Sequence, residues 1–216
     1  MDYSTEAERQ RRRDLYYMSI AEAVRARADC LGSDVGAVLV RGNRVISTGY
    51  NGTPAGFQHC RDGGCLRCQE RFKLDEDPNY ESPHHETMEG KALDICLCVH
   101  AEQNTLLNAA RHGIAVEDGT LYVTHQPCFS CLKESIQAGI ERIVYLLDWY
   151  GAKDEALRAQ YDQLAEQLTP NKAGRGFHQL DRVAYEEFRT TNRLLLDDMA
   201  QTGDGASAEG RSLREA

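Results

Sequence analysis

From His100 to Leu147 the chain reads "HAEQNTLLNAARHGIAVEDGTLYVTHQPCFSCLKESIQAGIERIVYLL", and this run decides the fold. "HAEQNTLLNAARHG" reads as a helix ending at Gly113, "GTLYVTHQ" as a strand, "PCFSCLKESIQAG" as a helix and "IERIVYLL" as another strand. Upstream, "GAVLVRGNRVISTGYNG" predicts two strands joined at Gly42-Asn43 by a tight hairpin turn. Before them, "DLYYMSIAEAVRARADC" places Leu15, Met18, Ile20, Ala21 and Val24 at the spacing of an amphipathic helix. Downstream come a helix in "AKDEALRAQYDQLAEQL", a fifth strand in "RGFHQL" and a helix through about Met199. Such alternation predicts an α/β fold with a largely open sheet and helices on both faces. Thr53 to Asp94 is polar, rich in Pro, Gly, Cys and His, and without sustained periodicity, so it reads as a long loop or insertion. The expected organisation is one domain over 1–197 with that insertion at about 53–95, and a small, polar, disordered tail over 198–216.

Composition narrows the function. The 216 residues suffice for a real core, so neither disulfides nor metals are needed merely to hold the chain together. A formal net charge of −9 disfavours a nucleic-acid polymer as partner but leaves room for one small anionic nucleotide in a local pocket. The N-terminal "RQRRR" reads better as a solvated helix face than as a phosphate site. No apolar h-region and no membrane span are visible, so the expected compartment is the cytoplasm. Thiols stay reduced there, and eight clustered cysteines point to metal rather than to disulfides.

"PCFSC" puts Cys128 and Cys131 three residues apart on one helical face, at the positive end of the helix dipole, which favours the thiolate. His100 and Glu102 are two apart and would point in nearly opposite directions inside a helix. They address one site only if they sit at a helix start whose axis aims at it. Zinc in a hydrolytic site takes three protein ligands and keeps a fourth position for water. His100, Cys128 and Cys131 are the expected ligands, and Glu102 the carboxylate left free as proton carrier. A structural zinc half-site in "PCFSC" would leave Glu102 and its placement unexplained.

H-x-E with P-C-x-x-C is the signature of zinc nucleobase deaminases. More specifically, "VGAVLV", "RVISTGYNGTPAG", "HAEQNTLLNAARHG", "TLYVTHQPCFSC", "QAGIERIVYLLDWY" and "DEALRAQYDQL" resemble the deoxycytidylate (dCMP) deaminase family over about residues 12–180. The resemblance implies a three-layer α/β/α cytidine-deaminase-like fold with a mixed sheet of about five strands. It implies zinc-dependent hydrolysis of dCMP to dUMP and ammonia, supplying thymidylate synthesis, by attack at C4 while Glu102 relays protons to N3 and to the leaving ammonia. It further implies a homo-oligomer, commonly a hexamer, with dCTP and Mg²⁺ activating and dTTP inhibiting in many members.

Tyr150, in "DWY", matches a family tyrosine beside the substrate, although a boundary aromatic capping the core would look the same. Asn51 and Gly52, in "YNGTP", suit a phosphate cradle or a plain turn. Asn104 can meet the nucleotide or satisfy a backbone group, and Arg111 falls where relatives place subunit and effector contacts or is a solvated helix end. Some relatives carry a second, structural zinc at the positions of Cys30 and Cys60, completed by residues just before the catalytic histidine. That resemblance implies a closed site of Cys30, Cys60 and Cys98, its fourth ligand among Cys65, Cys68, Cys96, His84 and His85; the alternative is free buried thiols. Two other functions stay open: deamination of dCTP or of a C5-modified dCMP, and a nucleotide-binding regulator or DNA-uptake accessory that kept the fold.

Overall fold

The computed structural model describes residues 5–77, 79–82, 95–148, 154–168 and 176–192. Helix α1 (Glu6–Arg25) opens on Thr5, whose side chain accepts from the Glu8 N–H. The strands β1 (Gly36–Arg41) and β2 (Arg44–Tyr50) follow. Helices α2 (Leu66–Glu76) and α3 (Ala101–Arg111), strand β3 (Thr120–His125) and helix α4 (Phe129–Gln137) come next. Strand β4 (Arg142–Leu147), helix α5 (Glu155–Ala165) and strand β5 (Gly176–Gln179) complete the first of two compact units, which ends at Leu180. In the second unit the described helical run, 182–192, is capped by the Asp181 carboxylate, which accepts from the Val183 and Ala184 N–H groups. No described helix is long and apolar enough to cross a membrane.

The expected mixed five-stranded sheet is present, in the order β2-β1-β3-β4-β5. The β2, β1 and β3 neighbours are antiparallel, and β3, β4 and β5 are parallel. Gly42 and Asn43 join β1 to β2 with φ of 56° and 58°, the pair of positive values a type I′ hairpin turn requires. Because strand side chains alternate, one face carries Ala37, Leu39, Leu121, Val123 and Ile143 against Ala101 of α3, Leu132 of α4 and Tyr161 of α5. Val38, Tyr122 and Arg142 point to the other face, where α1 lies: the Tyr17 and Tyr122 rings sit 5.2 Å apart and Arg142 pairs with Asp14. Three layers result.

The region read as a loop contains a three-residue 3₁₀ turn at Cys60–Asp62 and the eleven-residue helix α2. "LRCQERFKLDE" is made of good helix formers, but the face it buries is Arg67, Cys68 and Glu70. With no apolar stripe there was no periodicity to read. Glu70 accepts from Lys73 Nζ, Tyr80 Oη and Ser82 Oγ at 3.0, 2.9 and 2.8 Å, folding Tyr80 and Ser82 back onto α2.

One glycine sets where α3 sits. A Cβ on Gly49 would lie 2.4 Å from the Ala101 carbonyl oxygen and 2.5 Å from the Thr105 nitrogen, so β2 and α3 touch backbone to backbone. Gly49→Ala is expected to cost about 1–3 kcal/mol of stability and to displace the first turn of α3. The denaturant midpoint and the zinc content would both fall, and a neutral substitution would contradict the close approach.

Candidate metal and catalytic centre

His100 is the N-cap residue of α3, with extended backbone (φ −71°, ψ 157°). Its N–H donates to Gln103 Oε1 at 3.1 Å, and Gln103 Nε2 donates to Glu134 Oε1 of α4 at 3.3 Å. Cys128 is in turn the N-cap of α4, and its carbonyl accepts from the Leu132 N–H. Two helix starts therefore converge. His100 Nδ1 lies 3.5 Å from Cys128 Sγ and 3.4 Å from Cys131 Sγ. With zinc–nitrogen and zinc–sulfur bonds of about 2.0–2.1 and 2.3 Å, the imidazole-to-thiolate edge of a tetrahedron is about 3.5 Å. The donor set fits zinc.

Glu102, in the first turn of α3, is buried at 4 % exposure. Burial pushes its carboxyl up to about 7, against the pull of the neighbouring His100 imidazole. Cys128 is held down to about 4 by the Cys131 thiol first and by His100 as well, so a thiolate is available for ligation. The same contact pushes Cys131 upward. Behind Cys128, Tyr161 Oη donates to the Pro127 carbonyl at 2.6 Å, and the Tyr161 ring stands edge-on to Phe129 at 5.1 Å. Sequence reading missed Tyr161; nothing local marks a helix tyrosine that reaches a loop 34 residues back.

Three of the proposed nucleotide contacts, Asn51, Gly52 and Asn104, lie near the start of α3. Asn51 is buried, its Oδ1 accepting from the Val35 N–H and its Nδ2 donating to the Ser33 carbonyl, both at 2.7 Å. Gly52 forms an antiparallel bridge with Val99, and its N–H is committed to the Val99 carbonyl at 3.2 Å. Asn104 Nδ2 donates to the Tyr50 carbonyl at 2.7 Å, satisfying a strand end. Tyr150, His84 and His85 lie outside the described residues.

Cys30, Cys60 and Cys98 come together with Cys68, and Cys65 and Cys96 lie immediately beside them. All eight cysteines are free thiols. Cys96 is pulled down by contacts with Cys68 and Cys98 and, less strongly, by the Arg67 guanidinium.

A mixed five-stranded sheet carrying one His/Cys/Cys cradle at two converging helix starts defines a zinc-site α/β protein of the deaminase type. Residues 11–147 match the cytidine and deoxycytidylate deaminase zinc-binding region, and the chain belongs to that family. It is similar to the deoxycytidylate deaminase of Schizosaccharomyces pombe, 42% identical over 132 residues that make up 61% of this chain and 36% of the relative. It is also similar to that of Mycobacterium phage D29, 40% identical over 61% of this chain and 92% of the phage protein. The chain thus spans little more than a third of the yeast relative's length but nearly all of the phage one. Among solved structures, the dCMP deaminase of cyanophage S-TIM5 in complex with dCMP and dUMP shares the fold, with a TM-score of 0.51 and 23% identity over 82% of this chain and 99% of that one.

Proposed function

We propose that this chain hydrolyses the exocyclic amine of dCMP, yielding dUMP and ammonia. The observation that carries the reading is Glu102: an acidic side chain buried beside the His100, Cys128 and Cys131 cradle yet not needed as a ligand. A structural zinc site has no use for it. His100, Cys128 and Cys131 would hold zinc, which would act as a Lewis acid able to lower the pKa of water from about 15.7 to about 7. Glu102 does the proton work. Its carboxylate accepts a proton from the attacking water and hands it to N3 of the cytosine ring, then carries the second proton, from the new C4 hydroxyl, to the amine that departs as ammonia. The chain's formal net charge of −9 and the names of its family relatives support a small nucleotide over a polymer.

Asn51, Gly52 and Asn104 serve this reading chiefly by fixing the loops around the start of α3. Asn51 and Asn104 retain further hydrogen-bonding capacity for nucleotide groups. A homo-oligomer with dCTP–Mg²⁺ activation and dTTP inhibition, working in the cytoplasm, completes the proposal. Ammonia release from separate solutions of dCMP, CMP, cytidine and dCTP tests it. dCMP is expected to be turned over fastest. A faster rate on cytidine would remove the phosphate requirement, and silence on all four would remove the enzyme.

A further inference from the structure

Six cysteines outside the catalytic cradle remain, and one closed site uses only four of them. Their sulfurs form two groups, Cys30, Cys60, Cys68, Cys98 and Cys65, Cys68, Cys96, Cys98, each with all members within 4.8 Å of one another. Cys68 and Cys98 belong to both. We propose that these six side chains hold two zinc ions, with the Cys68 and Cys98 thiolates bridging them and Cys30 and Cys60 on one ion, Cys65 and Cys96 on the other.

The spacing favours this arrangement. A zinc–sulfur bond of about 2.3 Å sets the edge of a ZnS₄ tetrahedron at about 3.8 Å. Cys30–Cys68, Cys68–Cys96 and Cys65–Cys96 are 3.7, 3.7 and 3.8 Å apart, so edges of that length occur around both centres. A disulfide would bring two sulfurs to about 2.05 Å. A four-iron cluster would place four thiolates on four separate irons, spread around a cube, and has no use for a thiolate shared between two tetrahedra.

Local structure presents the thiols in the manner of the catalytic pair. Cys65 is the N-cap of α2 and Cys68 lies three residues on, as Cys128 and Cys131 do at α4. Both pairs sit at a positive helix end, which favours thiolate. In the irregular stretch before α3, Cys96 and Cys98 both bring their sulfurs to this cluster, while Leu97 between them is exposed. Leu31 and Gly32 N–H groups point at Cys60 and Cys30 sulfurs, at 3.5 and 3.4 Å.

Packing leads to the same conclusion. Cys30, Cys60, Cys65, Cys68 and Cys98 form a buried cluster of their own, and among the described hydrophobic residues Leu31 and Cys96 pack against it. Five small thiols bury too little apolar surface to order a segment of this length, whereas metal binding supplies folding free energy directly. Four thiolates per zinc from six cysteines requires two to be shared. Two Zn²⁺ ions with six thiolates also leave a net charge of −2, no larger than that of a single four-thiolate site. The cluster ties the loop after α1 and the start of α2 to the segment that leads into His100, so its role is structural.

The inference stands apart from the deaminase reading, because its measurements do not involve turnover. Metal analysis of the purified chain is expected to give three zinc ions per chain, and Cys128→Ser/Cys131→Ser is expected to retain two. Two in the wild type and one in the variant would overturn the shared cluster. Cadmium-113 replacement in the unmodified protein gives a second reading that needs no variant. Two all-thiolate resonances split by mutual coupling through shared sulfur are expected; a single one, or an uncoupled pair, would overturn the proposal. Zinc absorption fine structure should also show a metal–metal distance of roughly 3 Å.

Discussion

Glu102→Gln is expected to retain its zinc and to lose about 10²–10⁴-fold in dCMP turnover, the range over which a positioned general acid–base group contributes. The substitution conserves shape and hydrogen-bonding reach, so the buried position in the first turn of α3 stays filled. What disappears is the ability to take up and return a proton. His100, Cys128 and Cys131 are untouched, and the zinc count should not change. The two measurements separate causes: lost zinc with lost activity would mean that Glu102 supports the metal, and full activity would remove it from the chemistry. Since the residue is nearly inaccessible, bulk buffer should not substitute for it.

The centre was legible because its chemistry is local in sequence. His100 and Glu102 begin one helix and Cys128 and Cys131 another, so residue type, spacing and helix start together bring an imidazole, two thiols and a carboxylate to one place. The order of the sheet was less accessible, since strands of similar apolar pattern differ only in which neighbour they meet. The identity of β1 as the strand between β2 and β3 emerges only in three dimensions. Helix α2 escaped notice because it turns cysteines and charges inward instead of leucines. The same fact hid Cys68 among several candidates for one ligand position, when it and Cys98 each belong to two groups. Asn51 was ambiguous for a different reason: an amide after a strand suits a ligand and a loop equally, and its Val35 and Ser33 bonds hold the loop while leaving capacity for a ligand.

The long-range contact that no pattern announces is Asp14 with Arg142, 128 residues apart. Both are buried, and the guanidinium grips the carboxylate with two nitrogens at 2.7 Å each. Tyr122 Oη donates to Asp14 Oδ1 at 2.8 Å and Gln10 Nε2 to the same oxygen at 2.9 Å. One carboxylate thus pins α1 to β3 and β4 on the face opposite the catalytic helices. Asp14→Ala is expected to destabilise the protein by about 3–5 kcal/mol, because it strands the Arg142 charge in the interior without its partner. At roughly 2–4 °C per kcal/mol for a chain of this size, the thermal midpoint should fall by about 6–20 °C. Asp14→Leu combined with Arg142→Met should recover most of that loss, since replacing both charges with apolar groups of similar volume is commonly neutral or stabilising. Denaturant melts of the two variants therefore distinguish the cost of an orphaned charge from the worth of the pair. If the double variant is as unstable as the single one, the network stabilises through its geometry, and the bonds to Tyr122 and Gln10 become the ones to test.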